Sequence, residues 1–232
     1  LEKQGRLNRA LEGLPDDANM DERARVQAGL TRPEIAVLLA YSKMRLFDEL
    51  MAADIGNDSY LARSLEDYFP KVLSKKYASA MGFHPLRNEI IATHVTNQIG
   101  NRMGSTFNNY LQEEMGAESG DIARAFTAAC DIIDAQSLWS ELDRVTLILN
   151  YTQSMELHKN IQTLLEDLTL WLLSRHPGEP IQTMVDQYQK PMADYYVGLT
   201  KLLPHGAAQR ITAHADELTT NGIEESISQR LS

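Results

Sequence analysis

From end to end, the apolar residues of this chain recur three and four positions apart, and nowhere do four to eight β-branched residues alternate with polar ones between turn signals. Spacing of three and four gathers side chains on one face of a helix, whereas a half-buried strand needs strict alternation. The pattern predicts an all-α fold, a multi-helix bundle of roughly ten helices with no sheet.

The stretch "GLTRPEIAVLLAYSKMRLFDEL", residues 29–50, carries the clearest start signal. Thr31 can cap the first turn while Glu34 reaches back to it, and Pro33 sits where a missing N–H costs nothing, so a helix should begin near Arg32. Ile35, Leu38, Leu39, Leu46 and Leu50 mark one apolar stripe, and Val37, Ala40, Tyr41, Met44 and Phe47 a second. So wide an arc predicts a helix central to a larger helical body. Lys43, Arg45, Asp48 and Glu49 interrupt it, which makes it a poor membrane span.

Leu7, Leu11 and Leu14 predict a short first helix ending at Pro15, followed by a polar loop. Leu61, Leu65 and Tyr68 repeat helically up to Phe69-Pro70, and a helix over 71–81 ends at Gly82. Ile90, Ile91, Val95 and Ile99 mark a helix over 85–103; Ser105 or Thr106 caps another carrying Phe107, Leu111 and Met115. Ile122, Ala125, Phe126, Ala129, Ile132 and Ile133 form a core face with Ser119 as its cap. From Asn150 to Ser174, Leu157, Ile161, Leu164, Leu168 and Trp171 read as a bundle seam. His176-Pro-Gly-Glu-Pro180 is the sharpest break, and shorter helices follow over 181–203, 205–219 and 222–231. The expected organisation is a main helical domain over 1–176 and additional C-terminal helices over 181–232, packed on the same body.

A net charge of −10 repels phosphate backbones, and no run of Lys or Arg offers an exception, so no nucleic acid is expected as a partner, and no membrane. The single cysteine, Cys130, excludes an internal disulfide; with no signal sequence in view, this predicts a cytoplasmic protein. The chain opens on Leu1 inside an apparent helix, which reads as a piece of something longer.

The chemistry-bearing residues are sparse. Gly100-Asn-Arg-Met-Gly104-Ser105 looks superficially like a phosphate loop but lacks the Lys and the preceding strand, and reads as a helix end with a cap. His84, His94, His158, His176, His205 and His214 never fall at metal-ligand spacing, and Cys130 has no CxxC partner. Asp131 with Asp134, or Glu113 with Glu114, read as exposed acidic faces rather than acid–base pairs. No GxSxG elbow or GxGxxG loop is present. Catalytic, cofactor-binding and metal residues are therefore expected to be none. One candidate remains: His94, Asn97 and Asn101 share a helix face and, with Arg102, can form a polar groove for a small metabolite such as an amino acid.

The opening stretch, with "LARSLEDYFP", "HPLRNEIIATHVTNQIGNRMGSTF" and "GDIARAF", resembles the C-terminal region of the large bacterial NAD-dependent glutamate dehydrogenases. The resemblance runs from Leu1 to Trp139 and weakens beyond. It implies a parent enzyme that oxidises L-glutamate to 2-oxoglutarate and ammonium with NAD as hydride acceptor. The catalytic core would lie upstream, on the same polypeptide, in a homo-oligomer. "LEKQGRLNRALEGLP" resembles the segment just past that core, so no family catalytic residue maps here, and the family region continues beyond "GIEESISQRLS". A structural, assembly or regulatory role follows, with an effector-binding module as the alternative.

Overall fold

A computed structural model describes residues 1–231, apart from the side chains of Asp67, Ala78, Tyr196, Val197 and Thr200; Ser232 lies outside the described residues. The described residues form twelve α-helices, two short 3-10 turns and no strand. They divide into two compact units, Leu1–Ala123 and Arg124–Ser232.

The first unit contains α1 (Asp17–Arg25), α2 (Arg32–Ala52), α3 (Ser64–Tyr68), α4 (Lys71–Met81), α5 (Arg87–Arg102), α6 (Phe107–Met115) and the start of α7 (Ser119–Ile132). The predicted first helix is absent. Residues 1–16 form turns, with Gly5 and Gly13 in the left-handed region, and Leu11 is 83% exposed. The helix instead occupies the predicted polar loop, because Asp16 caps it by accepting from the Asn19 N–H at 2.8 Å. Leucine spacing alone was outweighed by the two glycines and Pro15, which favour turns.

α2 starts as predicted: the Glu34 carboxylate accepts from the Thr31 N–H at 2.6 Å. Its apolar arc is less buried than predicted. Within α2 only Leu46 and Leu50 are buried, while Ile35 and Met44 are each half exposed. The covered end is the one that meets α5, whose inner face carries Ile91, Ala92, Val95 and Ile99, all buried. Each large aliphatic side chain removed from water here stabilises the unit by about 1.5–3 kcal/mol. α5 is held at its start too, where the Arg87 guanidinium donates to the Gly56 carbonyl in the 3-10 turn Ile55–Asn57. α6 ends on Gly116 at φ 64°, a left-handed stop that glycine adopts without strain.

The second unit contains the rest of α7, then α8 (Ala135–Val145), α9 (Tyr151–Arg175), α10 (Ile181–Leu202), α11 (His205–Thr220) and α12 (Glu225–Leu231). α8 is a helix the sequence reading did not separate, although Leu138, Leu142 and Val145 carry the spacing of its buried face. α9 is capped by Asn150, whose side chain accepts from Gln153 N–H at 3.0 Å. Its seam is shifted from the predicted one. Leu157, Ile161, Leu165, Thr169 and Leu172 are buried, while Leu164 and Trp171 are about two-fifths exposed. Thr169 fits the inner face because its hydroxyl donates to the Leu165 carbonyl at 2.6 Å, leaving nothing polar unpaired. α12 packs on α11 and α8, and Arg230 on it reaches Glu141 of α8.

Candidate functional site

The candidate groove begins with a steric fact about α2 and α5. A Cβ on Gly100 would stand 2.7 Å from Lys43 Cε, so only glycine lets the lysine stem lie this close to the helix. Stretched across that gap, Lys43 Nζ donates to Asn101 Oδ1 at 2.6 Å and to Asn97 Oδ1 at 3.1 Å. Gly100 is thus a buried interior residue of α5, and Gly104, at φ 88°, follows the helix end. This stretch is a helix terminus.

The structure brings the four predicted residues together. Tyr68, Thr93, His94, Asn97, Gln98, Asn101 and Arg102 line an open groove of about 260 Å³. Thr93, Asn97 and Asn101 stand one turn apart on the outward row of α5; His94, Gln98 and Arg102 form the neighbouring row. Tyr68, at the end of α3, supplies an aromatic wall that spacing within α5 did not announce. Lys43 was also missed as a partner, since it lies 54 residues from Asn97 in sequence.

A second polar cluster lies in the same unit. Glu49 accepts from Arg45 Nε at 2.6 Å and from the Ser119 hydroxyl at 2.5 Å. Asn108 Nδ2 donates to Ser119 at 3.0 Å and Gln112 Nε2 does so at 3.1 Å, while Arg45 also reaches Gln112 at 3.1 Å. Ser119 is therefore a first-turn residue used as a tether between α7 and α2, not simply a cap. These hydrogen bonds tie α2, α6 and α7 to one another, a structural arrangement.

At the start of α2, Arg23 of α1 grips Glu34 with its two terminal guanidinium nitrogens at 2.8 and 3.0 Å. That fork, together with the Thr31 backbone N–H, holds the Glu34 carboxyl down at about 2 from an ordinary 4.5. Tyr41 donates its hydroxyl to Glu12 at 2.6 Å, which pushes its ionisation upward because phenolate would repel the carboxylate.

In the second unit, the predicted break at residues 176–180 is a fastened corner. His176 Nδ1 meets the Glu179 carboxylate, and Nε2 lies 2.8 Å from the Tyr188 hydroxyl. With Nδ1–H donating to Glu179, a neutral ring leaves Nε2 to accept from Tyr188. That hydroxyl accepts in turn from Gln187 Nε2 at 2.9 Å. Trp171 stacks edge-on against Tyr188 with centroids 5.1 Å apart and lies against the His176 ring at 5.5 Å. A Glu–His–Tyr chain superficially suggests activation of a hydroxyl, but here the hydroxyl is capped on both sides and walled by tryptophan.

The remaining candidates stay dispersed. Glu113 and Glu114 are exposed on α6; Asp131 accepts from Gln189 through its backbone carbonyl at 2.9 Å, and Asp134 faces Arg230 at 3.7 Å. His84 Nδ1 accepts from the Leu86 N–H at 3.1 Å. His158 and His214 are half-buried, His205 is exposed, and Cys130 is half-buried in α7. Among the described residues no three His, Cys, Asp or Glu side chains form a group that could hold a metal ion, and no helix is long and apolar enough to cross a membrane. The described residues contain no βαβ unit.

Comparison with known proteins gives a consistent answer. The NAD-specific glutamate dehydrogenase of Halomonas elongata is 31% identical over 231 residues, 98% of this chain and 14% of that one. The enzyme of the same name from Pseudomonas aeruginosa is 33% identical over 179 residues, 77% of this chain and 11% of its own. That of Mycobacterium tuberculosis is 26% identical over 234 residues, 97% of this chain and 14% of its own. The chain thus spans no more than 14% of the length of these relatives. The family profile described as "Glutamate dehydrogenase, C-terminal" matches residues 27–232, and the all-helical chain with its α5 groove belongs to that family.

Proposed function

We propose that this chain is a non-catalytic helical region of a large NAD-dependent glutamate dehydrogenase, serving to position and assemble the enzyme and to convey regulation. The parent would oxidise L-glutamate to 2-oxoglutarate and ammonium, with NAD held by other parts of the polypeptide. The observation that carries this reading is the pairing of family membership with a wholly helical described chain, since hydride transfer to a dinucleotide calls for a βαβ unit. The partners are then the catalytic core of the same polypeptide and further copies of the enzyme, in the cytoplasm. The main helical region would be 1–176, with 181–232 as additional helices. An image of the intact enzyme tests this: these helices should pack on the core or on another subunit, and helices standing clear of both would overturn it.

A second reading, an effector-binding module, is favoured by the groove on α5. Its size suits an amino acid or similar metabolite better than a nucleotide. A ligand present at about a hundred times its dissociation constant should add roughly 2.7 kcal/mol of stability. Thermal-shift screening with amino acids and nucleotides reads this directly, and no shift with any of them counts against the module.

A further inference from the structure

We infer that the α5 groove is selective for small carboxylates, and that Lys43 sets this selectivity from behind by fixing the polarity of two amides. The inference rests on the effector reading and narrows it to a ligand class.

The argument starts from what Lys43 can do. An ammonium group only donates, so the atoms at 2.6 and 3.1 Å from Nζ must be the carbonyl oxygens of Asn101 and Asn97. An asparagine amide on a surface helix is normally free to present either end. These two are not, because turning either one would set its NH2 against the ammonium. With both oxygens engaged, what Asn97 and Asn101 have left to offer a ligand is NH2, twice over and one turn apart.

The remainder of the lining has the same sense. Arg102 contributes a cation, and Lys43 adds a second positive charge within one hydrogen bond of both amides. The chain carries 32 acidic residues, yet none of the described lining residues is Asp or Glu. In a protein of net charge −10, a groove whose described lining offers a guanidinium and amide donors runs against the prevailing field. A carboxylate accepts two parallel N–H donors along its two oxygens, which a pair of side-chain amides supplies, while an amine or ammonium finds no acceptor there. Gly100 is part of the device, since any larger residue would displace the Lys43 stem.

The test is titration of the purified chain with four probes: succinate, its neutral diamide succinamide, 1,4-diaminobutane, and inorganic phosphate. Calorimetry and the side-chain amide NMR signals of Asn97 and Asn101 are read together. Succinate should bind saturably and shift both amide signals, with at least tenfold weaker response to the other three. Asn97→Asp with Asn101→Asp keeps shape and Lys43 pairing but replaces the donors with charge, and should weaken succinate at least tenfold with an unchanged helical spectrum. Lys43→Met should also weaken it. Binding of succinamide, diaminobutane or phosphate as tightly as succinate overturns the carboxylate assignment and leaves the groove a ligand site. So does succinate binding indifferent to the double aspartate variant. If none of the four probes moves either amide signal, the groove is no effector site and both readings fall.

Discussion

The corner between α9 and α10 and the outer face of α5 are built from similar materials, a histidine, a tyrosine and amide side chains on helices, and they reach opposite ends. At the corner, His176, Glu179, Tyr188 and Gln187 form a chain in which each group engages the next, and Trp171 covers it. On α5, Lys43 engages the oxygens of Asn97 and Asn101, two residues that line an open groove. Polar side chains that close on themselves fasten a fold, whereas those held half-satisfied in fixed orientation are available for recognition. The partner inventory of each group decides between these roles, and residue type alone does not.

That contrast can be broken by mutation. The largest effect should come from the hydrocarbon beneath the corner: Leu172→Ala, at a fully buried position on α9, is expected to cost about 2–5 kcal/mol. Leu164→Ala, at an exposed position predicted as part of the seam, should stay within about 0.5 kcal/mol. Equal losses at the two sites in urea denaturation would mean that the α9 seam is misplaced. His176→Ala should follow, losing both ring hydrogen bonds and contact with Trp171 at a cost of about 1–3 kcal/mol. By contrast, Asn97→Ala with Asn101→Ala removes two exposed side chains from the groove and should change stability by less than about 1 kcal/mol. A double alanine variant as damaging as His176→Ala would make the groove a structural feature like the corner.

The smallest expected effect concerns acid. Glu34 has a folded-state pKa of about 2 against an ordinary 4.5, so unfolding takes up a proton wherever the pH falls between those values. The stabilisation from its pairing with Arg23 is therefore fully present above about 4.5 and fades as pH falls toward 2. Glu34→Gln should flatten that part of the acid limb in a pH-dependent melting series and leave the neutral region with a fixed offset.

Much of this architecture was legible in the sequence, and the misses have physical causes. The helix start with side-chain chemistry, Thr31 with Glu34, was placed correctly because a cap is a local interaction that spacing reveals. The segment Lys71–Met81 was located between Pro70 and Gly82, although a kink at Tyr77 interrupts it. The leucines at 7, 11 and 14 misled because helical spacing cannot overrule glycines at positive φ. The α9 seam lies off the predicted one because Thr169, with its hydroxyl bonded to the Leu165 carbonyl, can lie inside. His94, Asn97, Asn101 and Arg102 could be grouped from their positions on one helix. Lys43 and Tyr68 could not, since both arrive through tertiary packing. The break at 176–180 was visible as a break, but its fastening by Tyr188 depends on how α10 returns along α9.

The central proposal is that this chain is a folded helical body that relies on other parts of the enzyme for redox chemistry. The most direct measurement combines far-ultraviolet circular dichroism of the purified chain with a glutamate-dependent assay of NAD reduction on the same sample. The account predicts a strongly helical, cooperatively melting spectrum and no formation of NADH. Reduction of NAD by the folded chain alone would contradict it.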